Sequence, residues 1–279
     1  MAGEFFLFRM AFAFVLPLRM NKEVLIFSQS LGPFQGVAKY LLFYAIKRMN
    51  KVFIREEICK KYLPERIAIS LETIPDAAFC LKAKEINLNL TKKKKVAITA
   101  RPHKFSSDPV FQQAKWNDYI GSLKEAALYC IAKGYEVHLI GQVTGPSSGE
   151  DDRVALAELY STLDEKEDVV FWKEDDYIMS PGELQFLYSN MSFLIGTRLH
   201  SSIFALGANV PTINISYHGT KSQGIMTSVG MERFVIDIDG VTPQKLISLI
   251  DEIKGVAKGE IEKNVDGIKA SLKLAVSSI

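Results

Sequence analysis

Cysteine, histidine and excess charge are all scarce in this chain. It has three cysteines and four histidines among 279 residues. Cys59, Cys80 and Cys130 lie far apart, which fits neither a disulfide framework nor the ligand spacing of a zinc site. We therefore expect each of them to be a small buried apolar side chain of a cytoplasmic protein. The formal charge of +2 is the balance of 34 basic and 32 acidic residues, so no overall field favours nucleic acid, and an anion site would have to be local.

Motifs of established chemistry are absent as well. The sequence contains no G-x-x-x-x-G-K-[ST] phosphate loop and no G-x-G-x-x-G fingerprint. It also lacks a G-x-S-x-G nucleophile elbow, an H-E-x-x-H zinc helix and any cluster of metal ligands. We therefore expect neither a metal nor a cofactor.

The longest apolar run covers residues 5–18 and is interrupted by Arg9. It is too short to span a bilayer, and the preceding M-A-G-E lacks the positive charge of a secretory signal. We predict a buried helix of the first domain here, with a secretory signal as the alternative.

Short apolar runs alternate with helical patterns along the whole chain. The predicted strands are residues 23–27, 52–54, 96–99, 136–140, 169–172, 193–195, 212–215 and 233–238, with weaker ones at 67–69 and 73–74. Such alternation predicts an α/β protein with a doubly wound parallel sheet. Residues 82–95 are polar and lysine-rich, which indicates a linker rather than a nucleic-acid patch. We therefore place a domain boundary near residue 90, with domains at 1–90 and 91–279.

Cationic side chains follow the carboxyl ends of several predicted strands in the second domain. Parallel sheets bind their ligands at this edge, where helix N-termini also favour anions. We expect these side chains to converge on an anionic ligand in a cleft between the domains. They are Arg101, Arg198, His200 and Lys221, with His218 as a further candidate.

Each of these residues also has a structural interpretation. A lone histidine on an apolar helix is usually structural, but Arg198 at the preceding turn favours a functional His200. Lys221 has glycines nearby that would allow close approach to a phosphate, whereas it would otherwise be a solvated lysine. The pattern does not decide between the two interpretations for His218.

Other polar residues have simpler interpretations. Arg55 closes a predicted strand of the first domain in the way that Arg198 nearly closes its own. Asp76 follows Pro75 and is either a helix N-cap, which is the simpler interpretation, or a functional acid. His103 and His138 are interpreted as structural, His138 because it lies within a strand.

Six segments carry a resemblance to a known family. They read I-F-S-Q-S-L-G-P, R-E-E-I-C-K-K-Y-L, P-D-A-A-F, A-I-T-A-R-P, G-T-R-L-H-S-S-I-F-A-L-G-A-N-V-P-T-I and Y-H-G-T-K-S-Q-G. In this order, over about residues 24–253, the chain resembles the polysaccharide pyruvyl transferase family. Members of that family usually begin with a strand and an N-x-G-D-type loop that would lie before the first residue here. We therefore expect the N-terminal domain to be truncated.

The resemblance implies a fold and an activity. The fold would consist of two Rossmann-like doubly wound domains of GT-B type, an acceptor-side domain followed by a donor-binding domain. The enzyme would transfer a pyruvyl unit from phosphoenolpyruvate to sugar hydroxyls of a polysaccharide, or of its lipid-linked precursor, as a ketal. By motif position, Arg101, Arg198 and Lys221 would bind the donor. His200 would be the catalytic acid or base, since the ordinary pKa of histidine lies nearest to neutrality.

The acceptor implied by the resemblance is a saccharide or a lipid-linked oligosaccharide. Arg55 and Asp76 are the candidate residues on the acceptor side. A membrane-bound acceptor would bring a cytoplasmic enzyme into peripheral contact with the inner face of the membrane.

Two other functions fit the same pattern. A glycosyltransferase of GT-B type that uses a nucleotide sugar would share the architecture and the anion site, and stabilisation against heat by a nucleotide rather than by phosphoenolpyruvate would distinguish it. A truncated relative that binds a glycan or partner without turnover is the non-enzyme alternative.

Overall fold

The computed structural model describes residues 4–34, 36–164, 166–172, 179–217 and 220–279. Contacts within the chain divide it into two compact units. One consists of Met1–Ala77 with Ile268–Ile279, and the other of Ala78–Gly267. The lysine-rich residues 82–95, where the sequence places a boundary, lie within the second unit.

The first unit is built on a small parallel sheet. Its elements are α1 (Glu4–Arg19), β1 (Leu25–Gln29), α2 (Ala38–Ile46), β2 (Lys51–Ile54), α3 (Glu65–Ala68) and β3 (Glu72–Thr73). The strands pair in the order β1-β2-β3, and both pairings are parallel. The strand predicted at residues 67–69 is wrong, because Pro64 precedes α3 and sets the start of a short helical turn there.

The apolar run at residues 5–18 is helical as predicted, but it is buried on one side only. Leu7, Ala11 and Val15, which repeat every four residues, are buried in the core of the first unit, and α1 packs against α2. Phe5 and Phe12 on the opposite side are 76% and 53% exposed. The prediction of a buried helix is therefore wrong for that side, because packing against one neighbour covers only one stripe of a helix.

The second unit contains a larger, wholly parallel sheet. Its elements are β4 (Lys94–Thr99), α4 (Pro109–Ala132), β5 (Tyr135–Leu139), α5 (Asp152–Thr162), β6 (Val169–Phe171), α6 (Pro181–Ser189), β7 (Phe193–Gly196), α7 (Leu199–Gly207), β8 (Thr212–Ser216), α8 (Thr220–Ser228), β9 (Val235–Asp237), α9 (Pro243–Ile253) and α10 (Lys258–Ser277), of which the last reaches into the first unit. The strand order is β6-β5-β4-β7-β8-β9. The chain thus builds the sheet outwards in one direction from β4 and in the other from β7, which confirms a doubly wound sheet.

Local sequence signals set several helix starts. Ser180 and Glu183 form a capping box at α6, and Thr242 caps α9 directly before Pro243. Asp108 accepts hydrogen bonds from the first turn of α4, so that helix begins at the next residue, Pro109.

Buried polar groups in the strands are paired. His138 in β5 lies 2.7 Å from a carboxylate oxygen of Glu136 through Nε2, while Trp172 Nε1 donates to its Nδ1 at 2.9 Å. Burial lowers the pKa of His138, in line with a neutral, structural histidine. Cys59 and Cys130 are buried as expected, but the expectation is wrong for Cys80, which is exposed at the end of a single helical turn.

None of the helices in the described part of the chain is sufficiently long and apolar to cross a lipid bilayer.

Candidate functional site

The centre of the large sheet is the place where the chain reverses its direction of winding. Thr99, the last residue of β4, is paired with Gly196, the last residue of β7. Each strand is followed two residues later by an arginine, Arg101 and Arg198. Loops that leave neighbouring strands in opposite directions open a crevice at the carboxyl edge, which is where doubly wound sheets bind ligands. Two of the predicted donor-binding residues therefore lie at this crevice.

A buried hydrogen-bond network holds the two strand ends together. The Thr197 N–H donates to Thr99 Oγ1 and the Thr197 hydroxyl donates to the Thr99 carbonyl, both at 3.0 Å. Tyr119 of α4 bonds to Thr197 Oγ1 at 2.9 Å, and its hydroxyl accepts from the Arg101 N–H at 3.2 Å. Burial raises the pKa of Tyr119 to about 12, so the phenol stays protonated and keeps its donor role. The backbone that carries both arginines is therefore fixed by buried groups.

Arg198 is oriented by a carboxylate that lies entirely out of solvent. Its Nε donates to Asp152 Oδ1 at 2.8 Å, and its Nη2 donates to the carbonyl oxygen of Glu150 at 2.7 Å. Asp152 has no exposed surface, and its Oδ2 accepts from the N–H groups of Gln142 and Val143 at 3.0 Å each. Burial works against the charge of Arg198, but the Asp152 carboxylate outweighs it and raises the pKa of Arg198. The guanidinium is therefore charged and held in one direction.

Tyr217, directly after β8, joins the two arginines. The guanidinium carbon of Arg101 lies 3.9 Å from the centre of the Tyr217 ring, in cation–π contact. The side chain of Arg198 forms a hydrogen bond with Tyr217. The His103 ring lies 6.2 Å from the same ring and 4.6 Å from Phe105. Burial and the nearby Arg101 lower the pKa of His103, which favours its neutral form.

His200 is the second residue of α7 and is exposed. The N-terminus of α7 reaches the crevice because Gly196 lets the helix approach its own strand closely. A Cβ at Gly196 would lie 3.0 Å from the hydroxyl oxygens of both Ser201 and Ser202. The partial positive charge of the helix start adds to that of the arginines. The imidazole of His200 and the start of α7 that follows Arg198 thus lie in one helix turn.

Lys221 is the second residue of α8, the helix that follows β8, and its side chain is half-buried. Thr220 begins this helix, so Lys221 lies in its first turn. His218 lies outside the described residues. Within those residues, no group of His, Cys, Asp or Glu side chains is arranged to hold a metal ion.

The first unit has its own cluster of charges beside its sheet. Arg55, directly after β2, donates from Nε to Glu56 at 2.7 Å and from Nη2 to Ser30 at 2.6 Å. Its Nη1 donates to Asp76. The side chains of Arg55 and Asp76 are 13% and 8% exposed. The Asp76 carboxylate therefore has an arginine partner in addition to its position at a helical turn, and its role towards an acceptor stays a prediction.

Two residues of the crevice were missed by the sequence analysis. Asp152 is not among the predicted site residues, and its only signal in the sequence is the acidic pair at the start of α5. Tyr217 stands in the Y-H-G-T-K segment, but nothing in the spacing singled it out from its basic neighbours. Both depend on contacts between segments that are distant in sequence.

Comparison with known proteins adds a family and a fold. A family model described as polysaccharide pyruvyl transferase matches residues 3–219. The amylovoran biosynthesis protein AmsJ of Erwinia amylovora is 26% identical over 267 residues, which cover 89% of this chain. The chain spans 61% of the length of that relative.

Solved structures with the same architecture are distant in sequence. The UDP-GlcNAc 2-epimerase of Methanocaldococcus jannaschii superposes with a TM-score of 0.60 at 12% identity, covering 91% of this chain and 68% of that one. A glycosyltransferase of Rickettsia africae gives a TM-score of 0.54 at 12% identity, with 99% and 81% covered. At such identities the likeness shows the fold alone, and it confirms Rossmann-like domains of GT-B type.

Proposed function

Since the chain belongs to the polysaccharide pyruvyl transferase family, we propose that it transfers a pyruvyl group from phosphoenolpyruvate to sugar hydroxyls, as a ketal, in polysaccharide synthesis. The observation that carries this proposal is the pair of arginines at the centre of the sheet. Arg101 and Arg198 follow two adjacent parallel strands and both contact Tyr217. Phosphoenolpyruvate is a small dianionic or trianionic molecule, and paired guanidinium groups suit its carboxylate and phosphate.

The reaction requires a proton donor as well as anion binding. A proton must reach C3 of the enol phosphate while a sugar hydroxyl attacks C2 and gives up its own proton, so this addition consumes no net proton. The second hydroxyl then displaces phosphate from C2, and the second hydroxyl proton leaves with the phosphate. His200 is our candidate for the proton transfers, since it is exposed at the start of α7, two residues after Arg198.

The remaining positive charges would hold the leaving group. In our proposal the charged guanidinium of Arg198 binds the carboxylate, while Arg101 and Lys221 neutralise the phosphate as it departs. Arg55 and Asp76 would contact the acceptor sugar. The acceptor would be a saccharide or a lipid-linked oligosaccharide at the cytoplasmic face of a membrane.

The proposal is tested by incubating the purified protein with phosphoenolpyruvate and candidate lipid-linked or nucleotide-linked sugars. Acceptor-dependent release of phosphate, together with a gain in acceptor mass equal to one pyruvyl ketal, is expected. Heat stabilisation by phosphoenolpyruvate should exceed that by UDP-N-acetylglucosamine. Stabilisation by the nucleotide sugar alone, with sugar transfer in place of pyruvyl transfer, would contradict the proposal.

A further inference from the structure

The exposed side of α1 carries a continuous apolar stripe. Its members follow one another at intervals of three or four residues, so they lie on one side of the helix. All are large, and between 48% and 76% of each is exposed. We call this surface the α1 stripe, and it consists of Phe5 (76%), Phe8 (52%), Phe12 (53%), Leu16 (48%) and Met20 (61%), the last just beyond the helix end.

The charges of α1 lie on the same side. At 100° per residue, Arg9 falls between Leu16 and Met20 around the helix, and Arg19 falls between Phe8 and Phe12. Both arginines are exposed. Glu4 is the one acidic residue in the sequence of α1, and it is the first residue of the helix. A helix side turned towards water is normally polar, whereas this one combines bulky apolar side chains with two cations.

The neighbouring helix adds more aromatic and basic groups. Tyr40 and Tyr44 of α2 are 64% and 41% exposed. The guanidinium of Arg48 lies 3.7 Å from the centre of the Tyr44 ring, and the ammonium of Lys39 lies 5.2 Å from that of Tyr40. Over residues 4–50 there are six cations against two acids, namely Arg9, Arg19, Lys22, Lys39, Lys47 and Arg48 against Glu4 and Glu23. This part of the chain is therefore locally basic, although the whole chain is nearly neutral.

We propose that the α1 stripe docks on the surface of an anionic lipid membrane, with α1 lying parallel to the membrane plane. The buried face of α1 is fixed to the core of the first unit, so the helix presents its other side without leaving the fold. Large aromatic side chains enter the boundary between headgroups and acyl chains, while arginines at the same depth pair with lipid phosphates. The charge balance selects anionic lipids, because each basic residue near such a surface is attracted to it.

The proposal stands on the exposed residues themselves and does not require the proposed enzymatic activity. If that activity is correct, docking would bring the enzyme to the membrane that holds the lipid-linked form of its acceptor.

Sedimentation with lipid vesicles tests the proposal. We expect the protein to bind vesicles of phosphatidylcholine with phosphatidylglycerol, and to bind pure phosphatidylcholine at least about tenfold more weakly. The triple variant Phe8→Ser, Phe12→Ser, Leu16→Ser should lose at least about tenfold in binding, because the replaced groups supply the apolar contact. The matched control is Val110→Ser with Phe111→Ser on α4, where the side chains are 80% and 52% exposed.

A second variant separates charge from apolar contact. Arg9→Gln with Arg19→Gln should weaken binding to the anionic vesicles and reduce its dependence on salt, with little effect on the neutral vesicles. Thermal unfolding checks that each variant is folded.

Three results would overturn the proposal. The first is equal binding to neutral and anionic vesicles, and the second is unchanged binding by the triple variant. The third is that the parent protein does not bind vesicles but self-associates, while the triple variant is a monomer. That result would assign the α1 stripe to contact with a second copy of the chain. Pyruvyl transfer to a water-soluble acceptor, measured on the same triple variant, reports separately on the proposed function.

Discussion

The two arginines at the centre of the large sheet are held in different ways. Arg198 is paired with the fully buried carboxylate of Asp152, whereas Arg101 is stacked on the ring of Tyr217. The pairing consumes part of the hydrogen-bonding capacity of Arg198 but fixes its orientation before any ligand arrives. Such preorganisation lowers the cost of ordering a side chain on binding. At this scale the site therefore depends on the planar shape of guanidinium as much as on its charge.

We expect Arg198→Lys to weaken binding of phosphoenolpyruvate by about 2–4 kcal/mol, the range for losing a partly buried charged contact. An ammonium cannot reproduce the geometry that joins Asp152 to the Glu150 carbonyl. Calorimetric titration gives the affinity. Arg233→Lys, the same change at an exposed position of the same unit, is the control. Near-normal binding by Arg198→Lys would rule out the proposed carboxylate contact.

His200→Ala should separate binding from chemistry. The imidazole is expected to act in the transition state, so turnover should fall by about 10²–10⁴-fold while donor affinity changes little. Phosphate release in a single turnover at saturating donor measures the rate of the chemical step, and calorimetry measures the donor affinity. If the variant loses affinity and a higher donor concentration restores the full rate, His200 binds the anion and the proton comes from another group.

At the scale of elements, the approach of α7 to β7 determines where the start of that helix lies. Gly196 ends β7, and the space that a side chain would need is taken by the hydroxyls of Ser201 and Ser202. Ser202 in turn accepts a hydrogen bond from Asn214 of β8 at 2.8 Å. The helix, its own strand and the next strand are therefore in contact through small polar groups that leave no spare volume.

We expect Gly196→Ala to destabilise the protein by about 1–3 kcal/mol, the usual cost of adding a methyl group to a filled interior. Gly224→Ala is a matched control, because Gly224 lies in α8 with no atom within 4 Å of the added Cβ. Alanine there should be neutral or stabilising by up to about 1 kcal/mol. Denaturant unfolding of both variants makes the comparison. Equal effects would show that the α7 contact has no special role.

Much of this level of structure could be predicted from sequence. Apolar runs located the strands of the large sheet, and the S-P-G-E sequence at residues 180–183 is a capping-box signal for the start of α6, because both signals are local. The one-sided burial of α1 was not predicted, since large apolar side chains occur all around the helix and its neighbours decide which of them are covered. The pairing of Asp152 with Arg198 could not be predicted either, because forty-six positions separate the two residues in the sequence.

At the scale of the whole molecule, two units share the chain, and each has its own parallel sheet. The family segments run through both of them, since the family model covers residues 3–219. One buried and one half-buried histidine add a dependence on pH to the stability of the larger unit. Burial lowers the pKa of both His103 and His138, and the charge of Arg101 lowers the pKa of His103 further.

We expect the free energy of unfolding to fall as the pH drops below about 6.5, the ordinary pKa of histidine. Below this pH the histidines of the unfolded chain bind protons that those of the folded protein do not yet bind, so protonation favours unfolding. Above it both states are unprotonated, and the histidines no longer change the free energy of unfolding. Each histidine contributes at most about 1.4 kcal/mol per pH unit. His138→Gln should flatten the slope, and Lys133→Gln on the surface should not. Equal slopes for the parent and His138→Gln would contradict the assignment.

The pairing of Arg198 with Asp152 also bears on how fast an anion arrives. Because the Asp152 carboxylate lies 2.8 Å from the guanidinium of Arg198, the fields of the two charges nearly cancel at a distance. Arg198 therefore attracts an anion only once the anion is in contact with it. Arg101 has no carboxylate partner within the described part of the chain, and its field extends further into solution. In stopped-flow measurements, Arg101→Gln should therefore slow association and reduce its dependence on ionic strength, while Arg198→Gln should mainly speed dissociation. Capture and retention of the donor would then be separate tasks of two neighbouring residues of the same kind.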